Sequence, residues 1–181
     1  MTAPFTIRPG SLADAAAIAA LTVRSWCHAY RGVLPDAVLD ARRPGDRLER
    51  WRERLALPER EHHTLVCEQD AAMVGYAGVG PASEHSIHPA PLGVGEIYGF
   101  YLDPPWFGSG AAEPLMDAVE AWLAPRFTAG WLWVLEDNLR ARRFYERRGW
   151  QADGARTPYP RPRCPGVYIV RHVRDFSVGG G

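Results

Sequence analysis

Residues 94–102 form an apolar run that ends at Asp103, Pro104 and Pro105, turns through Gly108 and Gly110, and continues as a helical pattern over 109–124. Leu115, Met116, Val119 and Leu123 recur there at the spacing of one helix face, so that stripe must be buried. A strand that passes through glycines into an amphipathic helix belongs in a layered α/β domain, where strand and helix cover each other's apolar faces.

The rest of the chain fits that class. Residues 5–8 alternate as a short strand, and Ser11 with Asp14 resembles a capping box opening an Ala-rich helix that runs to about Tyr30 and stops at Gly32. Residues 35–57 read as one or two helices interrupted by Pro44 and Gly45, with Trp51 and Leu55 on one face. Strands follow at 64–68 and 73–79, joined by a hairpin turn over 69–71. A Pro-, Ser- and His-rich loop spans 81–93. Beyond the central segment come a strand at 131–135, a helix over 138–148 closed by Gly149, and strands at 150–152 and 167–174. This order predicts a mixed, mainly antiparallel sheet of six or seven strands flanked by about four helices.

Its 181 residues suit one domain, expected over 1–176 with a disordered glycine-ended tail over 177–181. No run approaches the ~18 apolar residues of a membrane span, and the start lacks a basic patch followed by an apolar stretch, so a cytoplasmic chain with no membrane partner is expected. Cys27, Cys67 and Cys164 are far apart and lack metal-ligand spacing, which argues for reduced thiols and no metal. Net charge is zero, but residues 1–125 carry 10 Arg against 16 acids, while 126–181 carry 11 Arg against 5. The basic half could meet a phosphorylated ligand or nucleic acid, or form a solvated helix face.

Helix-start amides and the helix dipole favour an anion. Gly108 and Gly110 would let a phosphate approach the backbone closely, although two glycines also serve a purely steric turn. Phe107, Gly108, Ser109, Gly110, Ala111 and Ala112 fall on the donor motif of the GNAT superfamily of N-acetyltransferases, a Gln or Arg, two residues, Gly, one residue, then Gly or Ala. Gly110 and Ala112 match it, and Phe107 departs from it. Asn138, Phe144, Tyr145, Glu146, Gly149 and Trp150 resemble a second block of the same family. Trp26, Tyr30, Leu34 and Pro35 resemble the first-helix region of its small bacterial members.

The resemblance implies the GNAT fold and acetyl transfer from acetyl-CoA to a primary amine of a small molecule or peptide, by direct attack in a ternary complex. It also implies that the backbone of Phe100, Tyr101 and Leu102 pairs with the pantetheine arm, with amides of 108–112 holding the pyrophosphate and Asn138 placing the arm from the other side. Tyr145 is the expected proton donor to the CoA sulfur, with a packed helix tyrosine as its alternative role. Glu96 is the expected base, acting through water, unless it is a surface glutamate beginning a strand. The amide of Leu102 is a candidate oxyanion donor. Trp26 and Tyr30 are expected to border the acceptor, with His28, His85, His88 and the 159–163 segment as weaker candidates. Arg161 and Arg163 would suit an acceptor bearing carboxylate or phosphate. Glu113 and Pro114 sit where phosphates and helix-start amides are needed, which leaves open another donor, such as aminoacyl-tRNA, or a non-catalytic CoA or metabolite binder. A homodimer is common in such a family, whereas a nucleic-acid partner is the less favoured alternative.

Overall fold

Asp14 starts the first helix. Its carboxylate accepts from the Ser11 backbone N–H at 2.7 Å and the Ser11 hydroxyl at 2.9 Å, and it pairs with Arg8, which also reaches Glu68. Residues 4–82, 92–160 and 164–177 are described in the computed structural model of the chain. After a single 3-10 turn, α1 spans Ala15–Ala29 and buries Ile18, Leu21, Thr22, Ser25 and Trp26 as one stripe. Gly32, at φ +82°, follows it in the left-handed region. Two short helices come next, α2 (Asp36–Asp40) and α3 (Gly45–Leu55).

β1 (Thr6–Pro9), β2 (His63–Gln69), β3 (Ala72–Pro81) and β4 (Val94–Leu102) pair antiparallel in that order. Asp70 and Ala71 both adopt positive φ in the β2–β3 turn, which matches the twist of a tight hairpin. α4 (Ala112–Leu123) then leads to β5 (Ala129–Leu135), which pairs parallel with β4. α5 (Leu139–Arg147) precedes β6 (Gln151–Pro158) and β7 (Tyr168–Asp175), so the seven strands run β1-β2-β3-β4-β5-β7-β6.

Both faces of the central strands are covered. Leu65 and Cys67 of β2 join Leu115, Met116, Val119 and Leu123 of α4, whereas Val66 packs with Ile18 and Leu21 of α1 and with Trp51 of α3. Burial on both faces is why β2 and β3 read as nearly continuous apolar runs.

Two boundaries differ from the sequence reading. The helix expected from 109 begins at Ala112, because Gly108 and Gly110 sit at φ +79° and +91°. The strand expected over 150–152 extends to Pro158, since most of β6 is exposed and carries no apolar alternation. Residues 35–57, expected as one or two helices, form two. Most of the expected 81–93 loop, and with it His85 and His88, lies outside the described residues, as do Arg161, Arg163 and 178–181. Among the described residues no helix is long and apolar enough to cross a membrane.

Candidate active site

The parallel pairing of β4 with β5 ends at Ile97 opposite Leu132, yet β4 continues to Leu102 and β5 to Leu135. The two strands therefore splay toward their C-terminal ends, and β5 stays bound to β7 on its far side. Such a gap leaves the backbone of β4 beyond Ile97 without a β5 partner and leaves room for a ligand between the strands.

A second irregularity decides what faces it. Opposite β4, Gly78 pairs with Gly99 but Val79 pairs with Ile97, so Tyr98 is an extra residue on β4. A bulge of this kind reverses the alternation of side chains. Glu96 and Tyr101, of opposite parity in sequence, consequently line one cavity, while Ile97 and Leu102 join the α4 core.

Two cavities open around the splayed strands. One, of about 540 Å³, is lined by Phe100, Tyr101 and Leu102 of β4, by Phe107, Gly108, Gly110 and Ala112 of the turn, and by Asn138, Phe144 and Tyr145. Arg140, Arg143 and Arg147, one face of α5, line it as well. The other, of about 340 Å³, holds Glu96 among Trp26, Trp51, Tyr76, Tyr98, Trp133 and Tyr159, with His62 and Arg47, Arg50 and Arg54 of α3. Tyr30 and Tyr101 line both, so the cavities meet there.

Most of the expected site residues gather in these two places. Glu96, 8 % exposed, faces the smaller cavity, and Tyr145, 7 % exposed, faces the larger. Burial, and secondarily Tyr101, raises the Tyr145 phenol above its ordinary value, so it keeps its proton throughout the neutral range. Tyr30 is raised too, by burial first and then by the phenols of Tyr101, Tyr145, Tyr159 and Tyr76. Trp26 packs edge-on against Tyr30 at 4.8 Å and beneath Arg42 at 4.1 Å. Asn138 caps α5, its side-chain oxygen accepting from the Ala141 amide at 3.2 Å, which leaves its NH₂ for other partners. Ser109 and Ala111 stand apart from the cavity lining: the Ser109 hydroxyl donates to the Trp106 carbonyl at 2.8 Å and accepts from the Ala111 amide at 3.3 Å, and Ala111 is buried in the core. His28 touches the Phe107 ring instead of the smaller cavity.

A model of the acetyltransferase (GNAT) family matches residues 23–150. The chain belongs to the GNAT acetyltransferase family. An aminoglycoside N(6')-acetyltransferase type 1 of Stenotrophomonas maltophilia is 35% identical over 117 residues, covering 65% of this chain and 66% of that protein. The chain thus spans just under two thirds of the length of that relative. In fold it is similar to the PaiA N-acetyltransferase of Thermoplasma acidophilum in complex with coenzyme A, with TM-score 0.72 and 15% identity over 93% of this chain and 98% of the other. It is also similar to yncA of Salmonella typhimurium, solved with acetyl-CoA as its cofactor, with TM-score 0.69 and 18% identity over 98% and 96% of the two chains.

Within this GNAT chain the departures from the donor motif have local answers. Phe107 lacks the motif's polar head, but the Arg140 guanidinium lies over its ring at 3.8 Å. Pro114 occupies the first turn of α4, where its missing N–H breaks no helical hydrogen bond. Glu113 does line the larger cavity, opposite the three arginines of α5. Sequence reading missed those arginines, and also Arg47, Arg50 and Arg54. In both triplets the spacing i, i+3, i+7 was the available signal. Four other arginines of the basic C-terminal half form ion pairs, Arg148 and Arg174 with Glu120, Arg156 with Glu136 and Arg171 with Asp153.

Proposed function

We propose that this chain is an N-acetyltransferase that moves an acetyl group from acetyl-CoA to a primary amine in a ternary complex. The observation that carries the reading is the pair of cavities meeting at Tyr30 and Tyr101, with Glu96 on one side and Tyr145 on the other. The larger cavity suits the donor. Its floor is the stretch of β4 beyond the last β5 pairing, against which an extended amide-bearing arm can lie as an added strand. A Cβ built on Gly108 or Gly110 would meet nothing within 4 Å, so space for phosphate oxygens exists beside that backbone. Arg140, Arg143 and Arg147 supply the opposite charge.

In this reading Glu96 takes the proton of the acceptor amine through water, and the neutral nitrogen attacks the thioester carbonyl. The C–N bond forms, the C–S bond breaks, Tyr145 gives its phenolic proton to the departing sulfur, and the second proton shed by the acylated nitrogen returns through water to restore the phenol. A raised phenol is a weaker acid, but the dry cleft raises the basicity of a thiolate in the same way, so donor and recipient stay matched. The smaller cavity, at the low end of the size of small-molecule sites, holds the acceptor.

The chain should give a calorimetric signal with acetyl-CoA and release free CoA when a suitable amine is added. Glu96→Gln and Tyr145→Phe should each lower kcat on the order of 10²-fold while keeping acetyl-CoA affinity. No heat at millimolar acetyl-CoA, together with a Tyr145→Phe variant indistinguishable from the parent on every amine, would sink the proposal.

A further inference from the structure

α3 turns one face to the smaller cavity and the other to solvent. Arg47, Arg50 and Arg54 are on the inner face, whereas Arg52 pairs with Glu49 at 3.3 Å on the outer one. Glu96 is the sole carboxylate among the described residues lining that cavity, against three guanidinium groups. Neither Arg50 nor Arg54 forms a salt bridge among the described residues, and Arg54 is anchored on the Trp51 ring at 5.4 Å. Two groups register the resulting field. Arg54 is held below its ordinary value by burial and by the repulsion of Arg50 and Arg47, and His62 is held neutral down to about 4 by burial and by Arg54. Two guanidinium groups that line a cavity without a carboxylate partner among the described residues, one of them half-buried, favour an anion there.

We propose that the acceptor carries an oxyanion as well as its amine, the oxyanion resting on Arg50 and Arg54 while the nitrogen is directed to Glu96. Small amino acids and amino phosphates share this chemistry. The inference rests on the acetyl-transfer reading, which fixes Glu96 as the end where the amine reacts. It opposes a polycationic acceptor, since three guanidinium groups repel each added ammonium.

The test follows CoA release by the full chain with acetyl-CoA and paired amines: α-amino acids against their methyl esters, O-phosphoethanolamine against ethanolamine, and kanamycin as the polycation. At least one anionic amine should exceed its uncharged counterpart tenfold or more in kcat/KM. The preferred pair tells carboxylate from phosphate. Arg54→Gln and Arg50→Gln should raise KM for that anionic amine at least tenfold more than for its counterpart, about 1.4 kcal/mol. Since the counterpart is read in the same variant, a folding defect would lower both alike. Equal or better turnover of the uncharged amines, preference for kanamycin, or an unmoved KM ratio in Arg54→Gln overturns the anion site and leaves acetyl transfer standing. If acetyl-CoA binds but no amine releases CoA, transfer itself fails. Calorimetry with the anionic amines then decides the rest: heat lost in Arg54→Gln keeps an anion site, and no heat removes it.

Discussion

Arg140 is carried by the Phe107 ring. A guanidinium 3.8 Å over an aromatic face is worth about 0.5–2 kcal/mol, and here it also fixes a long flexible side chain beside the larger cavity, the proposed donor site. Under the proposed function, the motif's polar first position is replaced by a pair, an aromatic seat and a cation supplied by another helix. Arg140→Ala should weaken acetyl-CoA binding about tenfold, roughly the 1–2 kcal/mol of one charge-assisted contact, with kcat little changed. Phe107→Arg should recover most of that loss in the Arg140→Ala background and add little to the parent. Calorimetric titration of the four proteins with acetyl-CoA checks both statements; additive effects would mean that the two residues do not substitute for one another. The departure at Phe107 was legible in the sequence, whereas its compensation was not. Phe107 and Arg140 lie on separate elements, and only the packing of α5 beside the 108–111 turn joins them.

At the scale of elements, β4 is held against β3 by a close approach that only glycine permits. A Cβ on Gly75 would collide with Leu102 Cδ2 and come within 2.9 Å of the Tyr101 carbonyl, and Gly75 pairs directly with Leu102. Gly75→Ala should cost about 1–3 kcal/mol by overpacking. That should lower the melting temperature by roughly 2–10 °C in a chain of this size. Because the strain falls on the end of β4 that floors the larger cavity, the proposed donor site, acetyl-CoA affinity should fall with it. A melting curve and a titration matching the parent would show that β3 and β4 absorb the methyl elsewhere. The extent of β4 over 94–102 was readable from its bounding turns, and the 69–71 hairpin from its residues. The fate of Glu96 was not, because alternation alone puts it opposite Tyr101. One inserted residue at Tyr98, which leaves no mark in hydrophobic pattern, returns both to the same cavity. β6 was underestimated because an exposed edge has little apolar periodicity to read.

For the whole molecule, acid should act in two separate stages. His62 is 7 % exposed, its ring contacts Thr64 at 3.1 Å, and burial first, then Arg54 and His63, depress it to about 4 from an ordinary 6.5. Its neutral form is the one the fold favours. Above 6.5 that preference costs nothing; as pH falls toward 4 the unfolded chain takes up a proton that the folded chain refuses, and stability drops. The His62 share of this loss is about 3 kcal/mol. His63 and His172 are shifted in the same direction, chiefly by burial, and add to it. Asp14 belongs to a lower window. Its carboxyl is held at about 2, mainly by Arg8, so its contribution is intact above 3.8 and disappears only as pH falls through 2. Urea midpoints measured from neutral pH down to the acid limb should therefore decline first between about 6.5 and 4, and again below about 3.8. His62→Gln should flatten a large part of the first decline and leave the second. A first decline of undiminished depth in that variant would assign it to other groups. It would also remove His62 as a reporter of the positive field that Arg54 projects into the smaller cavity, the proposed acceptor site, so the stability profile bears on the same charge that the acceptor panel reads.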